Sequence, residues 1–417
     1  MRYAFIATPI EGGVFSVYRN LRTGMAAHGA ELRWVGVRTA FVASNADNPK
    51  WAHERRHGQL VGAEGDTDAA QGAALVQHLE AGRYDGVFAN VLMSRVEMNS
   101  LRYLDRSVRR VMVVHSTTPG TYAAARELRD YADAAVGVSP RVRDDLVARG
   151  FPADTTVAIP NGLDLSPYRN LARPEANHSP GRLPVPRPRN LRVLSLGRIE
   201  DASKGNFWLP RILSLARSGN TTDDVRLTVA GDGPDLAELR ARFAAAGVLD
   251  FVTFLGAVPP ADVPALVARH DVLLMPSRYE GFGYTLVEAM AGGCVPVASR
   301  VRGSTDFIVD DGRTGFLFPV GDANAAADLL RSLGADREEL QRTGEAARAD
   351  ATRRFGAEQM AAAYLDLVQT VSSRPPRTAP PLPLDRWEYP QGFTGGLRRF
   401  APEWAKKMFR VWRERLR

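Results

Sequence analysis

The chain has 417 residues but only one cysteine and seven scattered histidines. A single cysteine cannot form an internal disulfide, and so few cysteines and histidines exclude a zinc-finger array. The lack of an internal disulfide is typical of a reducing compartment, so we expect a cytoplasmic protein. Long apolar runs are also missing, since no stretch approaches the ~20 residues of a membrane-spanning helix. The apolar stretch before Glu11 is too short for a signal peptide, so we expect no crossing of a bilayer.

Lysine is scarce as well. Four of the 54 basic residues are lysines, and Lys204 is the only one between residues 51 and 405. The net charge of +7 is concentrated in residues 397–417, which hold eight basic and two acidic side chains. A near-neutral body with a basic tail does not indicate a nucleic-acid surface, so we expect no nucleic-acid partner.

The remaining composition is that of a globular protein, with 45% hydrophobic and 24% charged residues. The length is more than twice the ~150 residues that are usual for one domain. Short apolar segments alternate with amphipathic helical stretches up to about residue 171, and the alternation restarts at Leu191. We therefore predict the α/β class, with two Rossmann-like, doubly wound domains that face each other across a cleft.

Proline-rich segments suggest where the domains end. Residues 173–190 contain five prolines and no apolar period, which is typical of a linker. We predict an N-terminal domain over 1–172, this linker, a second domain over 191–372, a proline-rich connector over 373–396 and a C-terminal helical extension over 397–417.

The segment from Pro276 to Gly293 is the most informative. It places a glycine-rich turn between a buried strand and a helix N-terminus. In a parallel sheet that turn lies at the carboxyl edge, where ligands bind and free N–H groups favour an anion. Glu288 lies about one helical turn further on, where it can accept hydrogen bonds from a ribose diol, and Glu280 lies in the turn. Most glutamates are solvated surface groups, so the pair alone would be weak evidence.

A second segment supports a ligand site. Arg198 and Lys204 follow the first strand of the second domain, and both can neutralise a diphosphate. Surface exposure without function is the usual fate of such cations. The scarcity of lysine favours a function for Lys204.

Together these segments resemble the retaining family 4 glycosyltransferases of the GT-B fold. The order and spacing of the motifs over residues 1–371 are specific, although each motif alone is weak. The motifs are Glu11-Gly12-Gly13, Val138-Ser139, Ile159-Pro160-Asn161-Gly162, Gly197-Arg198 to Lys204-Gly205, Ala230-Gly231-Asp232-Gly233-Pro234, Phe254-Leu255-Gly256 and Glu280 to Glu288. The five residues between Arg198 and Lys204 are one more than in many members.

The resemblance implies a retaining, metal-independent hexosyltransferase that uses no cofactor. Its donor would be a nucleotide-diphosphate sugar, and its acceptor a hydroxyl of a glycan or lipid-linked molecule in polysaccharide or glycolipid assembly. The implied catalytic residues are Arg198, Lys204, Glu280 and His115, although a structural, hydrogen-bonded role for His115 is an equal alternative. The implied donor-binding residues are Gly12, Gly13, Gly197, Gly231, Gly281, Phe282, Gly283, Thr285, Leu286 and Glu288.

Three other functions stay open. A metal-dependent GT-A enzyme needs an Asp-x-Asp motif after a strand, and the candidate is Asp66-Thr67-Asp68. No apolar strand precedes it directly, so we interpret it as a polar loop or the start of a helix. A nucleotide-sugar epimerase of similar fold would act without an acceptor. A catalytically silent binding scaffold is disfavoured because the set of charged residues is intact.

The C-terminal segment Leu397 to Arg417 has its own pattern. Apolar and aromatic residues recur at steps of three and four, with arginines and lysines between them. Such a basic amphipathic helix can lie on an anionic membrane, which would place the protein at the inner face of that membrane. Packing of the apolar side on the protein body is the alternative.

Overall fold

The computed structural model describes residues 1–9, 12–39, 48–91, 94–169, 171, 190–218, 225–393 and 411. The chain forms two compact units. The first contains Met1–Asp164 and Phe355–Phe400, and the second contains Leu165–Arg354 and Ala401–Arg417. The predicted linker over 173–190, apart from Asn190, and the predicted helix over 397–417, apart from Val411, lie outside the described residues.

The first unit is built on a sheet of seven parallel strands in the order β3-β2-β1-β4-β5-β6-β7. The strands are β1 (Arg2–Ile6), β2 (Glu31–Val37), β3 (Gly58–Val61), β4 (Gly86–Asn90), β5 (Arg110–Val114), β6 (Ala134–Gly137) and β7 (Thr156–Ala158). Every residue of β4, β5 and β6 is buried. Apart from Asn90 and Arg110 these strands are apolar, which is typical of the centre of a parallel sheet that is covered on both faces.

Five helices of the first unit follow these strands in chain order. They are α1 (Gly13–Ala27), α2 (Asp68–Ala81), α3 (Arg95–Asn99), α4 (Pro119–Leu128) and α5 (Pro140–Val147). The side chains that cap the N-termini of α2 to α5 are Thr67, Ser94, Thr118 and Ser139, respectively. These residue types satisfy the free N–H groups of a first helical turn. Thr67 caps α2, so the interpretation of Asp66-Thr67-Asp68 as a helix start is confirmed.

The second unit has a sheet of six parallel strands in the order β10-β9-β8-β11-β12-β13. The strands are β8 (Leu191–Leu196), β9 (Val225–Ala230), β10 (Val252–Gly256), β11 (Val272–Met275), β12 (Val295–Ser299) and β13 (Phe316–Phe318). The helices of this unit are α6 (Ser166–Arg169), α7 (Asp201–Lys204), α8 (Leu209–Arg217), α9 (Leu236–Ala245), α10 (Val263–Ala268), α11 (Tyr284–Ala291), α12 (Thr305–Ile308), α13 (Ala323–Ala335) and α14 (Arg337–Arg354). The prediction of two doubly wound α/β sheets is confirmed.

The last long helix, α15 (Ala357–Ser372), belongs to the first unit, which differs from the predicted second domain over 191–372. It packs on α1, where a Cβ at Gly24 would lie 2.1 Å from the Ala357 carbonyl oxygen. Leu163 and Phe355 form a 2.8 Å backbone hydrogen bond where the chain leaves and re-enters this unit. The close packing on α1 explains why the units divide at residues 164 and 354 rather than at 172 and 372.

Residues 373–393 form a C-terminal arm on the surface of the first unit. The Ala379 N–H donates to the Asp130 carbonyl oxygen at 2.7 Å, and the Trp387 ring stacks on Tyr103 with centroids 4.6 Å apart. The Tyr389 hydroxyl donates to Asp68 at 2.7 Å. The predicted connector over 373–396 is thus, as far as it is described, packed against one unit. Within the described ranges, no helix combines the length and apolarity needed to span a membrane.

Candidate active site

The two segments singled out in the second half of the sequence meet at the carboxyl edge of the second unit's sheet. One follows β8 and contains the single-turn helix α7, which ends at Gly205 with φ +62°. The other follows β11 and leads into α11. A Cβ at Gly205 would lie 2.2 Å from the Pro276 carbonyl oxygen, so only glycine allows the two turns to pack this closely.

Lys204 and Glu280 are in direct contact at this edge. The Lys204 Nζ lies 2.6 Å from the Glu280 Oε1, and the Ser277 hydroxyl donates to the same oxygen at 2.7 Å. The Lys204 side chain is 33% exposed and that of Glu280 is 9% exposed. Two donors hold Oε1, while the other oxygen of Glu280 has no hydrogen-bond partner among the described residues. The carboxylate is therefore oriented, with one acceptor available to a ligand.

Arg198 is placed differently. Its side chain is 66% exposed, and its guanidinium lies 3.8 Å from a carboxylate oxygen of Glu200. In the described part of the chain it forms no ion pair with Glu280. The structure thus brings Lys204 and Glu280 together and leaves Arg198 at the surface of the same loop, where its guanidinium is accessible to an anion.

A buried ion pair that the sequence analysis did not identify joins the two loops. The Arg278 Nη2 lies 3.0 Å from both carboxylate oxygens of Asp201. The Arg278 Nε donates to the Asp201 carbonyl oxygen at 2.8 Å. The Arg278 N–H donates to the Ser203 carbonyl oxygen at 2.8 Å, and the guanidinium lies over the Trp208 ring. Asp201 and Arg278 lie close in sequence to Lys204 and Glu280, the residues predicted to act. Because Asp201 and Arg278 are 77 residues apart, the sequence does not reveal that they pair.

The glycine-rich turn before α11 has the predicted strand-turn-helix form. Gly281 lies buried in it, and Gly283, with φ +101°, precedes the first residue of α11 without a capping side chain. The side chains of Phe282 and Leu286 are buried in the core. Thr285 is half-buried, and its hydroxyl lies 3.5 Å from the Met275 sulfur. The side chains of Phe282 and Leu286 therefore do not reach a ligand site, and the Leu286 N–H bonds to the Gly283 carbonyl oxygen at 3.0 Å. A helix N-terminus without a capping side chain, as at α11, favours an anion.

Glu288 lies just over one turn into α11. Loss of solvation raises the pKa of its carboxyl to about 8. Its carboxyl makes no hydrogen bond or ion pair to the residues that the structure describes. A half-buried carboxyl without partners costs free energy in the ligand-free protein. Donors of a ligand, such as the two hydroxyls of a ribose, would satisfy it.

Gly197 and Gly231 bring neighbouring strand ends together. A Cβ at Gly231, where φ is +146°, would lie 1.8 Å from the Gly197 carbonyl oxygen. Gly197 has open space at its own Cβ position and φ +130°. The β8 and β9 loops therefore approach through backbone alone, and the space beside Gly197 stays clear for a ligand.

Three predicted site residues lie in the first unit. Gly12 and Gly13 stand at the start of α1, and a Cβ at either would meet no atom within 4 Å. His115 directly follows β5, and its Nε2 lies 2.6 Å from the Asn90 Oδ1. Desolvation lowers the pKa of the His115 imidazole to about 4. The open surface at the glycines and a neutral histidine thus occur at the same sheet edge of this unit.

Comparisons with known proteins agree with this architecture. The family model for glycosyl transferases group 1 matches residues 187–350, and the model for glycosyltransferase family 4 matches residues 11–167. Among solved structures, Anabaena HepE in complex with UDP-glucose has a TM-score of 0.69 at 19% identity, covering 90% of this chain and 100% of HepE. This likeness establishes the fold.

Curated relatives show sequence similarity as well. The 2-deoxystreptamine N-acetyl-D-glucosaminyltransferase of Streptomyces fradiae is 32% identical over 216 residues, which are 51% of this chain and 50% of the relative. A phosphatidyl-myo-inositol mannosyltransferase of Mycobacterium leprae is 33% identical over 218 residues, or 52% and 54% of the two chains. The matches span about half the length of these relatives. With two family models that together match most of the chain and the fold of HepE, the protein belongs to the family 4 glycosyltransferases of the GT-B fold.

Proposed function

We propose that the protein is a retaining, metal-independent glycosyltransferase. It moves a hexose-type sugar from a nucleotide-diphosphate sugar to a hydroxyl of a glycan or lipid-linked acceptor, in polysaccharide or glycolipid assembly. The observation that carries the proposal is the 2.6 Å contact between Lys204 and Glu280, at a sheet edge with an uncapped helix N-terminus. The named activities of the relatives from Streptomyces fradiae and Mycobacterium leprae support the substrate classes.

The diphosphate is the group that gains charge during the reaction. The C1–O bond to the diphosphate breaks, and a C1–O bond to the acceptor hydroxyl forms on the same face of the sugar. The hydroxyl proton passes to the departing diphosphate oxygen, so no enzyme nucleophile is needed. Lys204, Arg198 and the N–H groups of α11 stabilise the developing negative charge, as fixed positive groups do in other transfer reactions.

Glu280 and Glu288 bind different parts of the donor in this proposal. Lys204 and Ser277 hold Oε1 of Glu280, so its second oxygen accepts a hydrogen bond from a sugar hydroxyl. Glu288 accepts from the ribose diol. Binding of the diol favours the ionised form of Glu288, which desolvation disfavours in the ligand-free protein.

Donor binding and turnover test the proposal in sequence. Calorimetric titration with UDP, GDP and ADP, each with and without EDTA, identifies the base and any metal requirement. The matching nucleotide sugar is then incubated with glycan and lipid acceptors, and proton NMR of the product gives the anomeric configuration. We expect binding without metal and retention of configuration. Inversion, inhibition by EDTA or an epimerised donor without acceptor would contradict the proposal.

Lys204→Ala tests the role assigned to the cation. We expect turnover to fall by about 100-fold or more, because loss of one group that stabilises developing charge typically has this effect. Arg211→Ala on α8 is the matched control, since it removes an exposed cation of the same unit outside the two loops. Unchanged turnover in Lys204→Ala would remove the lysine from the mechanism, and binding without any turnover would favour a silent scaffold.

A lipid-linked acceptor agrees with the sequence of residues 397–417. We assign this basic, aromatic segment to an anionic membrane surface, at the cytoplasmic face where nucleotide sugars are made. Truncation after Phe393 keeps the C-terminal arm and should abolish co-sedimentation with vesicles containing phosphatidylglycerol. Trp404→Ala/Trp412→Ala preserves the charge and should weaken binding. Unchanged binding by the truncated protein would show that this segment is not the membrane contact.

A further inference from the structure

Asn90 and His115 form a hydrogen-bonded pair at the carboxyl edge of the first unit's sheet. Asn90 is the last residue of β4 and is 2% exposed, and His115 follows the adjacent strand β5. The Asn90 side chain makes two hydrogen bonds. Its Nδ2 donates to the Ile6 carbonyl oxygen at 2.9 Å, and its Oδ1 lies 2.6 Å from the His115 Nε2.

These partners determine where the hydrogens are. A carbonyl oxygen only accepts, so the Asn90 atom that faces Ile6 must be the amide nitrogen. The amide oxygen must then face His115, and because this oxygen also only accepts, the His115 Nε2 must carry a hydrogen. Desolvation lowers the pKa of His115 to about 4, so the ring is neutral at physiological pH. A neutral ring with a hydrogen on Nε2 has none on Nδ1.

We propose that Asn90 is a positioning residue that holds His115 in the Nε2–H tautomer, so that Nδ1 accepts a hydrogen bond from a substrate hydroxyl. This inference rests on the proposed function. The Nδ1 atom has no partner among the residues described, which leaves its lone pair available. Asn90 acts through the histidine alone, since its own two polar atoms are already bonded within the unit.

The tautomer is measurable in the wild-type protein without any substrate. Long-range proton–nitrogen NMR of 15N-labelled protein distinguishes protonated from unprotonated ring nitrogens, and seven histidines keep the spectrum simple. The signals missing from His115→Gln assign the residue. We expect Nδ1 to be unprotonated and Nε2 protonated at pH 7.5. A hydrogen on Nδ1, or a charged ring, would overturn the proposal.

Asn90→Ala then tests the dependence on asparagine. We expect the His115 signals to indicate a mixture of tautomers, because the oxygen that selects one of them is gone. His270 is the internal reference, since its ring bonds to Leu266 and Thr228 in the other unit. An unchanged His115 tautomer in a folded Asn90→Ala protein would show that Asn90 does not select it. If Asn90→Ala does not fold, Asn90→Asp replaces it in the test. Asn90→Asp keeps an acceptor oxygen at this position, so the His115 Nε2 should retain its hydrogen.

Kinetics of single and double variants separate positioning from general stability. We expect His115→Ala to lower kcat by about 100-fold, the low end of the range for losing a positioned acid–base group. Asn90→Ala should lower kcat by less, because the fraction of His115 rings that keep the hydrogen on Nε2 stays active. The double variant should lose no more than His115→Ala, and the Kd of the nucleotide for the second unit should not change. Additive losses would contradict action through His115. Absence of turnover with every donor would reject the proposed function, and the NMR result would still decide the tautomer.

Discussion

Burial of Glu288 is expected to lower the free energy of unfolding of the ligand-free protein. Its carboxyl is held in a desolvated position without partners among the described residues, and its pKa is raised to about 8. Groups whose folded and unfolded pKa values differ make stability depend on pH. We therefore expect Glu288 to destabilise the ligand-free protein above the usual pKa of a glutamate.

The sign of this effect follows from the two pKa values. Below pH 4.5 the Glu288 carboxyl is neutral in both the folded and the unfolded protein, so its burial does not lower the free energy of unfolding. As the pH rises from 4.5 to about 8, the unfolded protein loses this proton while the folded protein keeps it, so the free energy of unfolding falls. We therefore expect Glu288→Gln to be more stable than the wild type at pH 8.5 and nearly equal to it at pH 4.5.

Thermal melting of both proteins at the two pH values checks this prediction. Glu338→Gln is the control, because its exposed side chain on α14 should give the same difference from the wild type at both pH values. Calorimetry should also show that Glu288→Gln binds nucleotide more weakly. Equal melting differences at both pH values would refute the pH dependence.

At the scale of elements, the site depends on the contact between the α7 loop and the turn after β11. Lys204 and Glu280 lie on different loops. Two side-chain nitrogens of Arg278 bond three oxygens of Asp201, and the Arg278 N–H bonds the Ser203 carbonyl oxygen, so this pair holds the loops together. The carboxylate of Asp201 also accepts from the Phe207 N–H at 3.0 Å. The ion pair therefore sets the distance between the two residues that we assign to the reaction.

We expect Arg278→Ala to destabilise the protein by about 3–5 kcal/mol, because it removes the cation that compensates the buried charge of Asp201. Urea denaturation measures this loss. Arg300→Ala breaks the exposed pair with Asp311 and should cost less than about 1 kcal/mol.

The turnover of Arg278→Ala tests whether the Asp201–Arg278 pair positions Lys204 against Glu280. At temperatures where Arg278→Ala is folded, turnover should fall because Lys204 is no longer held against Glu280. Arg278→Lys should recover part of the stability but little of the turnover, since an ammonium cannot bond both oxygens and the Asp201 carbonyl together. Full turnover in Arg278→Ala would show that the loops keep their positions without the pair.

At the scale of the molecule, the units are not the halves that the sequence suggests. The whole sheet of the second unit lies between Leu165 and Arg354, and the chain then returns to the first unit, where α15 packs on α1. Inside the second unit, Arg348 binds the Tyr168 carbonyl oxygen at 2.6 Å and the Ala291 carbonyl oxygen at 3.2 Å. Residues 165–354 of the second unit are thus one continuous segment, whereas the first unit combines segments that precede and follow it.

Two fragments should therefore behave differently. A fragment of residues 165–354 should fold and bind the nucleotide that the full chain binds, because its core and both ligand loops lie within it. A fragment of residues 1–172 should aggregate, because removing α15 exposes the apolar side of α1. Circular dichroism and calorimetry measure folding and binding. A stable, monomeric 1–172 fragment would contradict the role of α15.

Local patterns determined the fold class and predicted the residues of the candidate site. Buried apolar strands alternating with helices can form little besides parallel α/β sheets, and the strand-turn-helix around Gly283 depends only on neighbouring residues. The family motifs were also visible, because a phosphate-binding loop needs glycine and cations at short spacing. The roles assigned to Arg198, Lys204, Glu280, Glu288 and His115 stay predictions.

Only the tertiary structure decided the pairs that act together. Nothing local links Asp201 to Arg278, Asn90 to His115 or α15 to α1, because each contact joins residues brought together by the sheet order or by helix packing. The pKa values of Glu288 and His115 depend on desolvation by the folded chain, which no sequence period records. The sequence thus specified which groups are present, and the fold determined their partners and charge states.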